Sequence, residues 1–352
     1  MLLDHARAAA AVLAVMLALP AAGPAAGGEM TFDHQCLGNH VDSCFFTASG
    51  EITADTPQKF RNYWEEEGYD GYTLYLHSGG GSLEGGIELG QIFRDLGLST
   101  LIGDPDRAGP DGWPGPGRCA SACAYAFLGG SRRAIPEGSL LGFHQFFIAG
   151  KRMVGGSQGL SMAQNSAAGI VQYLVAMGID ARVFGVASQA LPSEMIWFGH
   201  GEGEDYALVT PTGYEPLAIE PYRDGIVAFT RRKDPTTTYD LVHQISAFCR
   251  PGKPALLFTA DFVPDRGAAF HISIDGTEFE VGESAVTARP SADGSGVLQV
   301  GIPQAVADRM AAGRLIETWF DFGMAEGGDF SAYLELSERD RTMLKAAFRF
   351  CI

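Results

Sequence analysis

The stretch "YTLYLHSGGGSLEGG", residues 72–86, combines three patterns in fifteen residues. The apolar run 72–77 predicts a buried strand, and consecutive glycines at 79–81 follow it. Apolar residues then recur at helical spacing on one side of the next segment, at Leu83, Ile87 and Leu96. A strand, a glycine loop and a helix in this order predict the opening of a parallel βα unit.

The same alternation continues from about Tyr72 to Thr210. Further strands are predicted at "STLIG" (99–103) and "SLLGFHQF" (139–146), and helices at "SACAYAFLGG" (121–130) and roughly 160–177. Beyond the polar "DPTTTYD" (234–240), the sequence predicts short strands, a hairpin turn at Asp275-Gly276 and a closing helix from about Ser337 to Phe350. We therefore expect an α/β protein with a parallel βα core, followed by a small antiparallel β domain with a C-terminal helix.

The N-terminus and the composition predict where the protein works. Arg7 precedes an apolar run from Ala8 to Leu19 and then a segment rich in small residues, which is the layout of a secretory signal peptide. That run is too short to span a bilayer, so we expect a secreted or periplasmic protein without a membrane span after signal removal. The net charge of −17 argues against a nucleic-acid partner. The predicted boundaries are 1–27 for the signal peptide, 28–215 for the βα domain, 216–240 for a linker and 241–352 for the β domain.

Export makes disulfides the expected state of the six cysteines. Cys36 and Cys44 are close enough in sequence to pair at the mature N-terminus. Cys249 and Cys351 lie at the two ends of the C-terminal third, and we expect them to pair. The remaining cysteines, Cys119 and Cys123, can meet across the start of a helix. An oxidising compartment disfavours a free-thiol nucleophile, and the spacing does not supply the four ligands of a zinc site.

Ser121 lies at the centre of "GRCASACAYAFLGG" (117–130), among small residues and at the predicted start of a helix. It fits a nucleophile with an exposed hydroxyl, and equally an ordinary helix N-cap. His144 ends a predicted strand 23 residues later. A histidine with apolar neighbours is commonly a core residue, but the end of a parallel strand is where such sheets place their chemistry. The glycine loop matches neither a dinucleotide fingerprint nor a P-loop, and the acidic "HGEGED" (200–205) is typical of a solvated loop, so we expect no cofactor and no metal.

Taken together, "SGGGS", "CASACAYAFLGG" and "GFHQ" resemble the Clp/crotonase-like serine peptidases, over about Gly71 to Thr210. That group includes the Clp proteolytic subunit and signal peptide peptidase A, and the chain is most similar to its exported Clp-like members. The resemblance implies Ser121 as nucleophile, His144 as general base and the amides of Gly81 and Ala122 as the oxyanion hole. It also implies that Gly80 and Gly81 line an extended peptide, and that the protein forms a homo-oligomer.

The sequence departs from the family at the orienting aspartate. Alignment on "DYALVT" (205–210) places that position at Met195, with Glu194 adjacent. Glu194 is our candidate for the third catalytic residue, and Asp180 and Glu202 are weaker ones. The family loop also reads Ser-Pro-Gly-Gly, where this chain has Gly79 in place of the proline.

The main hypothesis is an exported serine hydrolase, a peptidase that acts on short or unfolded chains without ATP, since no ATP-binding motif is present. The alternative is an inactive Clp-like protein that binds peptides or serves as a scaffold. Acyl-CoA chemistry of the crotonase type ranks last, because its cofactor is not expected outside the cytoplasm. Trp113 belongs to a loop (103–117) that is either a lid over the groove or an ordinary surface loop.

Overall fold

The computed structural model describes residues 28–37, 44–67, 73–146, 156–223, 225–234, 241–250, 252–263, 267–290, 295–322 and 330–349. The chain divides into two compact units, Met1–Val209 and Thr210–Ile352. The predicted signal peptide, residues 1–27, lies outside the described residues, and so does Cys351.

The first unit contains two sheets. Five strands lie in the order β1-β2-β3-β4-β6, and they are β1 (Thr31–Cys36), β2 (Cys44–Ser49), β3 (Thr73–His77), β4 (Ser99–Ile102) and β6 (Arg132–Ala134). The strands from β2 onward are parallel, whereas β1 is antiparallel to β2. A smaller sheet contains β5 (Arg118–Ala120), β7 (Leu140–Phe143) and β8 (Ile196–Phe198), with β5 and β7 parallel and β8 antiparallel to β7.

Five helices accompany these sheets: α1 (Thr56–Glu67), α2 (Leu83–Asp95), α3 (Ala122–Leu128), α4 (Gly156–Ala176) and α5 (Arg182–Ala187). The Ser82 hydroxyl caps α2 by accepting the N–H of Gly85. Helix α3 is buried along its whole length, as expected from its run of small and apolar residues. Burial of its Phe127 and Leu128, which have no exposed surface, contributes on the order of 2–3 kcal/mol each.

Two glycines on α2 allow α3 to pack closely against it. A Cβ at Gly86 would lie 2.2 Å from the carbonyl oxygen of Ala122, and a Cβ at Gly90 would lie 2.9 Å from that of Tyr125. Both distances are far below van der Waals contact. The short α3, and the turn that precedes it, are therefore fixed against the helix that follows the glycine loop.

The second unit is antiparallel throughout its two sheets. Six strands lie in the order β15-β16-β12-β11-β10-β9: β9 (Ala218–Tyr222), β10 (Gly225–Arg231), β11 (Val242–Arg250), β12 (Lys253–Ala260), β15 (Val286–Pro290) and β16 (Gly296–Gly301). Four more lie in the order β14-β13-β17-β18: β13 (Ala269–Ile274), β14 (Thr277–Val281), β17 (Leu315–Asp321) and β18 (Ala332–Glu335). The inner faces of the two sheets meet at Phe258, whose ring lies 5.0 Å from that of Phe320.

Helices α6 (Gln304–Met310) and α7 (Glu338–Phe348) complete the second unit. A capping box begins α7, in which Ser337 and Asp340 exchange side-chain and backbone hydrogen bonds. The other carboxylate oxygen of Asp340 accepts the N–H of Leu217, so this buried charge also fixes the segment that leads into β9.

The structure confirms a mixed α/β protein, with several sheets and seven helices among the described residues. It differs from the sequence prediction in two places. The strands β1 and β2 were not predicted, and the segment 216–240, predicted as a linker, contains β9 and β10. The polar "DPTTTYD" suggested a linker, but "GIVAFTR" just before it buries residues from Ala228 to Thr230 against the sheet. Residues 235–240 lie outside the described residues.

Candidate active site

Ser121 occupies the turn between β5 and α3 in an unusual backbone conformation, with φ 56° and ψ −122°. This positive φ is sterically costly for a residue with a side chain. The Ser121 N–H donates to the carbonyl of Gly142 (2.9 Å), and its carbonyl accepts the N–H of Ala124 (3.0 Å). The hydroxyl makes no capping bond to the helix, and the residue is partly exposed. The N-cap interpretation is therefore wrong, because the Ser121 hydroxyl accepts no hydrogen bond from the amides of the first turn of α3.

A disulfide joins Cys119, in β5, to Cys123, in the first turn of α3. Both cysteines are fully buried, and Ser121 lies midway between them in sequence. The bond rules out a free thiol or a zinc site at these two positions. A second disulfide joins Cys36 and Cys44 across the β1–β2 pair. The predicted partner of Cys249 lies outside the described residues, so that pairing stays a prediction.

The glycine loop lies directly against Ser121. Gly80 has φ +105°, and a Cβ built on it would lie 2.7 Å from the Cβ of Ser121 and 3.0 Å from the nitrogen of Ala122. A non-glycine residue at this position would collide with the turn. The N–H of Gly80 donates to the hydroxyl of Ser78 (3.0 Å), a bond that fixes the start of the loop.

Gly81 pairs with Ile52 as a short parallel bridge. Ile52 donates to the carbonyl of Gly80 (2.8 Å) and accepts the N–H of Ser82 (2.7 Å), so the N–H of Gly81 itself turns to the opposite side. Among the described residues, neither this N–H nor the N–H of Ala122 donates to a protein acceptor. Two backbone donors thus flank the Ser121 turn, one on the glycine loop and one at the start of α3.

His144 immediately follows β7, and Gly142 of that strand accepts the Ser121 N–H. Because β5 and β7 are parallel and Ala120 pairs with Gly142, Ser121 and His144 leave the sheet at the same edge. Phe143 packs edge-on against Tyr125 of α3, so strand alternation turns Gly142 to the other face, and His144 is the first residue beyond the strand. Burial lowers the pKa of His144 below its ordinary value, because the imidazolium is poorly solvated there. The neutral form needed by a general base is therefore favoured at pH 7.

Met195, the position at which the sequence alignment expected a carboxylate, lies near the end of the β7–β8 ladder. Strand β8 is antiparallel to β7, and their ladder ends at the pair of Phe143 with Ile196, so His144 and Met195 are the residues just beyond its end. The Met195 side chain covers this face: its Cγ lies 2.9 Å from a Cβ built on Gly142. A thioether carries no charge with which to orient or stabilise an imidazolium.

The three acidic candidates are each engaged in a local turn. The Glu194 carboxylate is exposed and accepts the N–H of Leu191 (3.0 Å). Asp180 accepts from the backbone and guanidinium of Arg182 (2.8 and 2.7 Å), and Glu202 accepts the N–H of Gly199 (2.6 Å). In the contacts of the described residues, none of the three carboxylates is brought to His144. The expected role of Glu194 does not fit these contacts, because its carboxylate closes the four-residue turn from Leu191 to Glu194.

A second histidine near the site was missed by sequence reasoning. His77 ends β3, just before the glycine loop, and its Nδ1 accepts the N–H of Arg118 (3.2 Å) at the start of β5. Its Nε2 lies 3.7 Å from the carboxylate of Asp104, which also lies 3.3 Å from the guanidinium of Arg107. The signal was present in "LHSGGG", where a strand ends in histidine at the loop. Its role in the structure is to align β3 with β5.

The loop that contains Trp113 is fixed to the sheet. The indole stacks on Phe45 with 5.0 Å between ring centroids, and Tyr75 lies beside it. Two backbone hydrogen bonds between Asp104 and Gly115 close the loop at its base (2.8 and 3.1 Å). These contacts favour the ordinary surface loop over the lid.

One group among the described residues has the spacing of a metal site, and it consists of His34, Cys36 and Cys44. Its two cysteines are bonded to each other, so they do not offer thiolates. The two disulfides fit an oxidising compartment. None of the described helices has the length and apolar character needed to cross a membrane.

No protein-family model matches the chain, and no curated protein matches it either. Among solved structures, it is similar to the 1510-N membrane-bound stomatin-specific protease, in a mutant form. That likeness has 17% identity and a TM-score of 0.33, and covers 46% of this chain and 75% of the other. It is also similar to the invasion associated protein B of Bartonella henselae, with 10% identity and a TM-score of 0.26, over 39% of this chain and 92% of the other.

Proposed function

We propose that the protein is an exported serine hydrolase, a peptidase with the Clp/crotonase-like arrangement of its catalytic groups. Ser121 is the nucleophile, His144 is the general base, and the amides of Gly81 and Ala122 form the oxyanion hole. The observation that carries the proposal is the backbone of Ser121, held at φ 56° without a capping bond from its hydroxyl. Residues kept in such a costly conformation cluster at active sites, where the surrounding structure enforces them.

In this mechanism His144 accepts the proton of the Ser121 hydroxyl as the oxygen attacks the scissile carbonyl. The tetrahedral oxyanion takes hydrogen bonds from the N–H groups of Gly81 and Ala122. Collapse breaks the C–N bond, and the imidazolium gives its proton to the leaving amine. A water molecule, deprotonated by His144, then hydrolyses the acyl-enzyme and restores Ser121.

The neighbour of His144 implies a slow enzyme. Met195 carries no charge with which to stabilise the imidazolium, and the candidate carboxylates are engaged in local turns, so the site works as a Ser–His dyad. Removal of the acidic member of known triads lowers the rate by about 10⁴-fold. A slow, unassisted hydrolase acting on short or unfolded peptides fits this site, and the proposal includes the homo-oligomer implied by the family resemblance.

A fluorophosphonate probe tests the proposal. It should label the mature protein once, on the peptide that contains Ser121, and labelling should vanish in Ser121→Ala and fall by about two orders of magnitude in His144→Ala. Glu194→Gln is the matched control. Its labelling should equal that of the wild type, because the Glu194 carboxylate accepts the N–H of Leu191 and does not act on His144. Unlabelled Ser121 in folded protein between pH 6 and 9 would refute the hydrolase.

A gain-of-function variant examines the dyad separately. Met195→Asp introduces a carboxylate at the end of the β7–β8 ladder, beyond which His144 also lies, and it should raise the labelling rate at least about tenfold. Met195→Asn has nearly the same size without the charge and should give no increase. Equal rates in the two variants would mean that a charge at position 195 does not act on His144.

The second candidate is a peptide-binding protein without catalysis. Met195 favours it, because a lineage that no longer needs acyl transfer has no use for the carboxylate. In that case, wild type and Ser121→Ala would bind an unfolded peptide equally, and neither would cleave it or react with the probe.

A further inference from the structure

The four-stranded sheet of the second unit turns one face to the core and one outward. On β13, the inward residues Phe270 and Ile272 are fully buried, so His271 and Ser273 face outward. The strand register extends this outer face into two cross-strand rows. The first row is Glu280–His271–Trp319, and the second is Glu278–Ser273–Glu317–Tyr333.

The two rows form an aromatic and acidic surface. The imidazole of His271 stacks on the indole of Trp319, with 5.1 Å between centroids and 5° between planes. On the β18 side of Trp319 there is a depression, which is lined by Glu317, Thr318, Trp319, Ser331, Ala332 and Tyr333. Tyr333 is 52% exposed. Two aromatic rings and one carboxylate therefore border a depression of side-chain size.

The charge of this face has one sign. Glu278, Glu280 and Glu317 are exposed, and within the described residues none of them forms an ion pair with a lysine or arginine. The nearby Arg314 lies 3.5 Å from the carboxylate of Glu335. Arg309 lies over the ring of Phe279. Glu317 thus lines the depression, and Glu278 and Glu280 add negative charge to the same outer face two strands away, on β14.

We propose that this depression binds a lysine or arginine side chain of an extended, cationic segment of a partner protein. The cation lies against the faces of Trp319 and Tyr333, which attract it through their ring quadrupoles, and it forms an ion pair with Glu317. Glu278 and Glu280 attract further cations along the same segment. A neutral saccharide is the other ligand of exposed aromatic rings, but three like carboxylates give it no advantage.

The test uses the full mature chain with a fluorescent ten-residue peptide that carries lysine at alternate positions, and anisotropy as the measurement. The peptide should bind, and a peptide with glutamine at the same positions should bind at least about tenfold more weakly. Glu317→Gln and Tyr333→Ala should each weaken binding by about fivefold to tenfold, and affinity should fall as salt rises. Both residues are exposed, so neither change removes core packing, and circular dichroism checks the fold.

Glu220→Gln is the matched control, since Glu220 is an exposed carboxylate on β9 of the other sheet. It should leave binding unchanged. Equal losses in Glu220→Gln and Glu317→Gln would overturn the proposal in favour of attraction by net charge alone. Absence of peptide binding, or binding of neutral oligosaccharides that is lost in Tyr333→Ala, would also overturn it. The same titration with Ser121→Ala keeps this result separate from the proposed hydrolase, because the two sites share no residue.

Discussion

Four non-glycine residues among those described have positive φ, and two of them, Ser121 and Asp275, hold this conformation in different ways. Ser121 has φ 56° between β5 and α3, and Asp275 has φ 48° between β13 and β14. Asp275 precedes Gly276, also at positive φ, in a two-residue hairpin of the type for which Asp-Gly is the preferred sequence. Its carboxylate accepts the N–H groups of Arg314 and Leu315 (3.0 and 2.9 Å).

At Ser121, no hydrogen bond from the side chain to α3 offsets the steric cost of the positive φ. The conformation is enforced from outside the residue, by the Cys119–Cys123 disulfide, by the bond to Gly142 and by the close approach of Gly80. A turn stabilised by its own side chain is a structural element. A turn imposed by its neighbours, with the hydroxyl left available, is what a nucleophile needs.

The largest expected difference between the two turns is in the effect of replacing the glycine beside each turn by alanine. Gly80→Ala places a methyl group 2.7 Å from the Cβ of Ser121 and from the Ala120 carbonyl. It should destabilise the first unit by about 3 kcal/mol or more and lower probe labelling by about 100-fold. Gly276→Ala meets nothing within 4 Å, so it should cost only about 1 kcal/mol from its positive φ and leave labelling unchanged. Denaturant unfolding and labelling rates measure both, and equal costs would show that Gly80 does not constrain the turn.

The disulfides give the next comparison. Replacing Cys119 and Cys123 together by serine should lower the free energy of unfolding by about 2 kcal/mol, because the disulfide closes only a short loop. Labelling of Ser121 should fall at least about tenfold, because the disulfide no longer fixes the turn. Replacing Cys36 and Cys44 should cost a similar free energy of unfolding, about 2–3 kcal/mol, without changing the labelling rate. If both double variants label alike, the Cys119–Cys123 bond contributes stability alone.

Glycine substitution measures the strain directly. Ser121→Gly relieves the steric cost of a Cβ at φ 56°, so its unfolding free energy should exceed that of Ser121→Ala by about 1 kcal/mol. Asp275→Gly also relieves a Cβ at positive φ, but it removes the acceptor of two N–H groups, so it should be less stable than Asp275→Asn. Chemical denaturation of the four variants decides the comparison. A Ser121→Gly variant less stable than Ser121→Ala would mean that the turn is unstrained.

The smallest effect concerns pH. Burial lowers the pKa of His144 below its ordinary value of 6.5, so the labelling rate should stay constant through pH 7 and fall with a midpoint below 6.5. The same shift has a stability consequence with a defined sign. The unfolded chain binds this proton at higher pH than the folded protein does, so stability is lost as pH falls through 6.5. His144→Gln should reduce that loss. A labelling midpoint above 6.5 would show that an unseen negative charge acts on the imidazole.

Local patterns predicted much of this protein from its sequence. The apolar runs gave β3 and β4 to within one residue and located β7, which ends three residues earlier than predicted, and helical spacing gave α2 and α4. The Asp275-Gly276 turn followed from residue type alone, because its conformation depends on the two residues that form it. The pairing of Cys119 with Cys123 could be anticipated from their separation of four residues at the start of a helix.

The tertiary structure decided what depends on register and on neighbours distant in sequence. The side chain of Ser121 forms no N-cap hydrogen bond, although its residue type allows one, and the contacts of its backbone are with Gly80 and Gly142, which are distant in sequence. Met195 and Glu194 are adjacent in sequence, but the side chain of Met195 lies against Gly142 of β7, whereas that of Glu194 closes a turn with Leu191. Likewise, Glu317, Trp319 and Tyr333 share a surface only because β17 and β18 pair in one particular register. Composition and periodicity act over a few residues, whereas a site is a set of distances between segments, and those distances are fixed only when the sheets form.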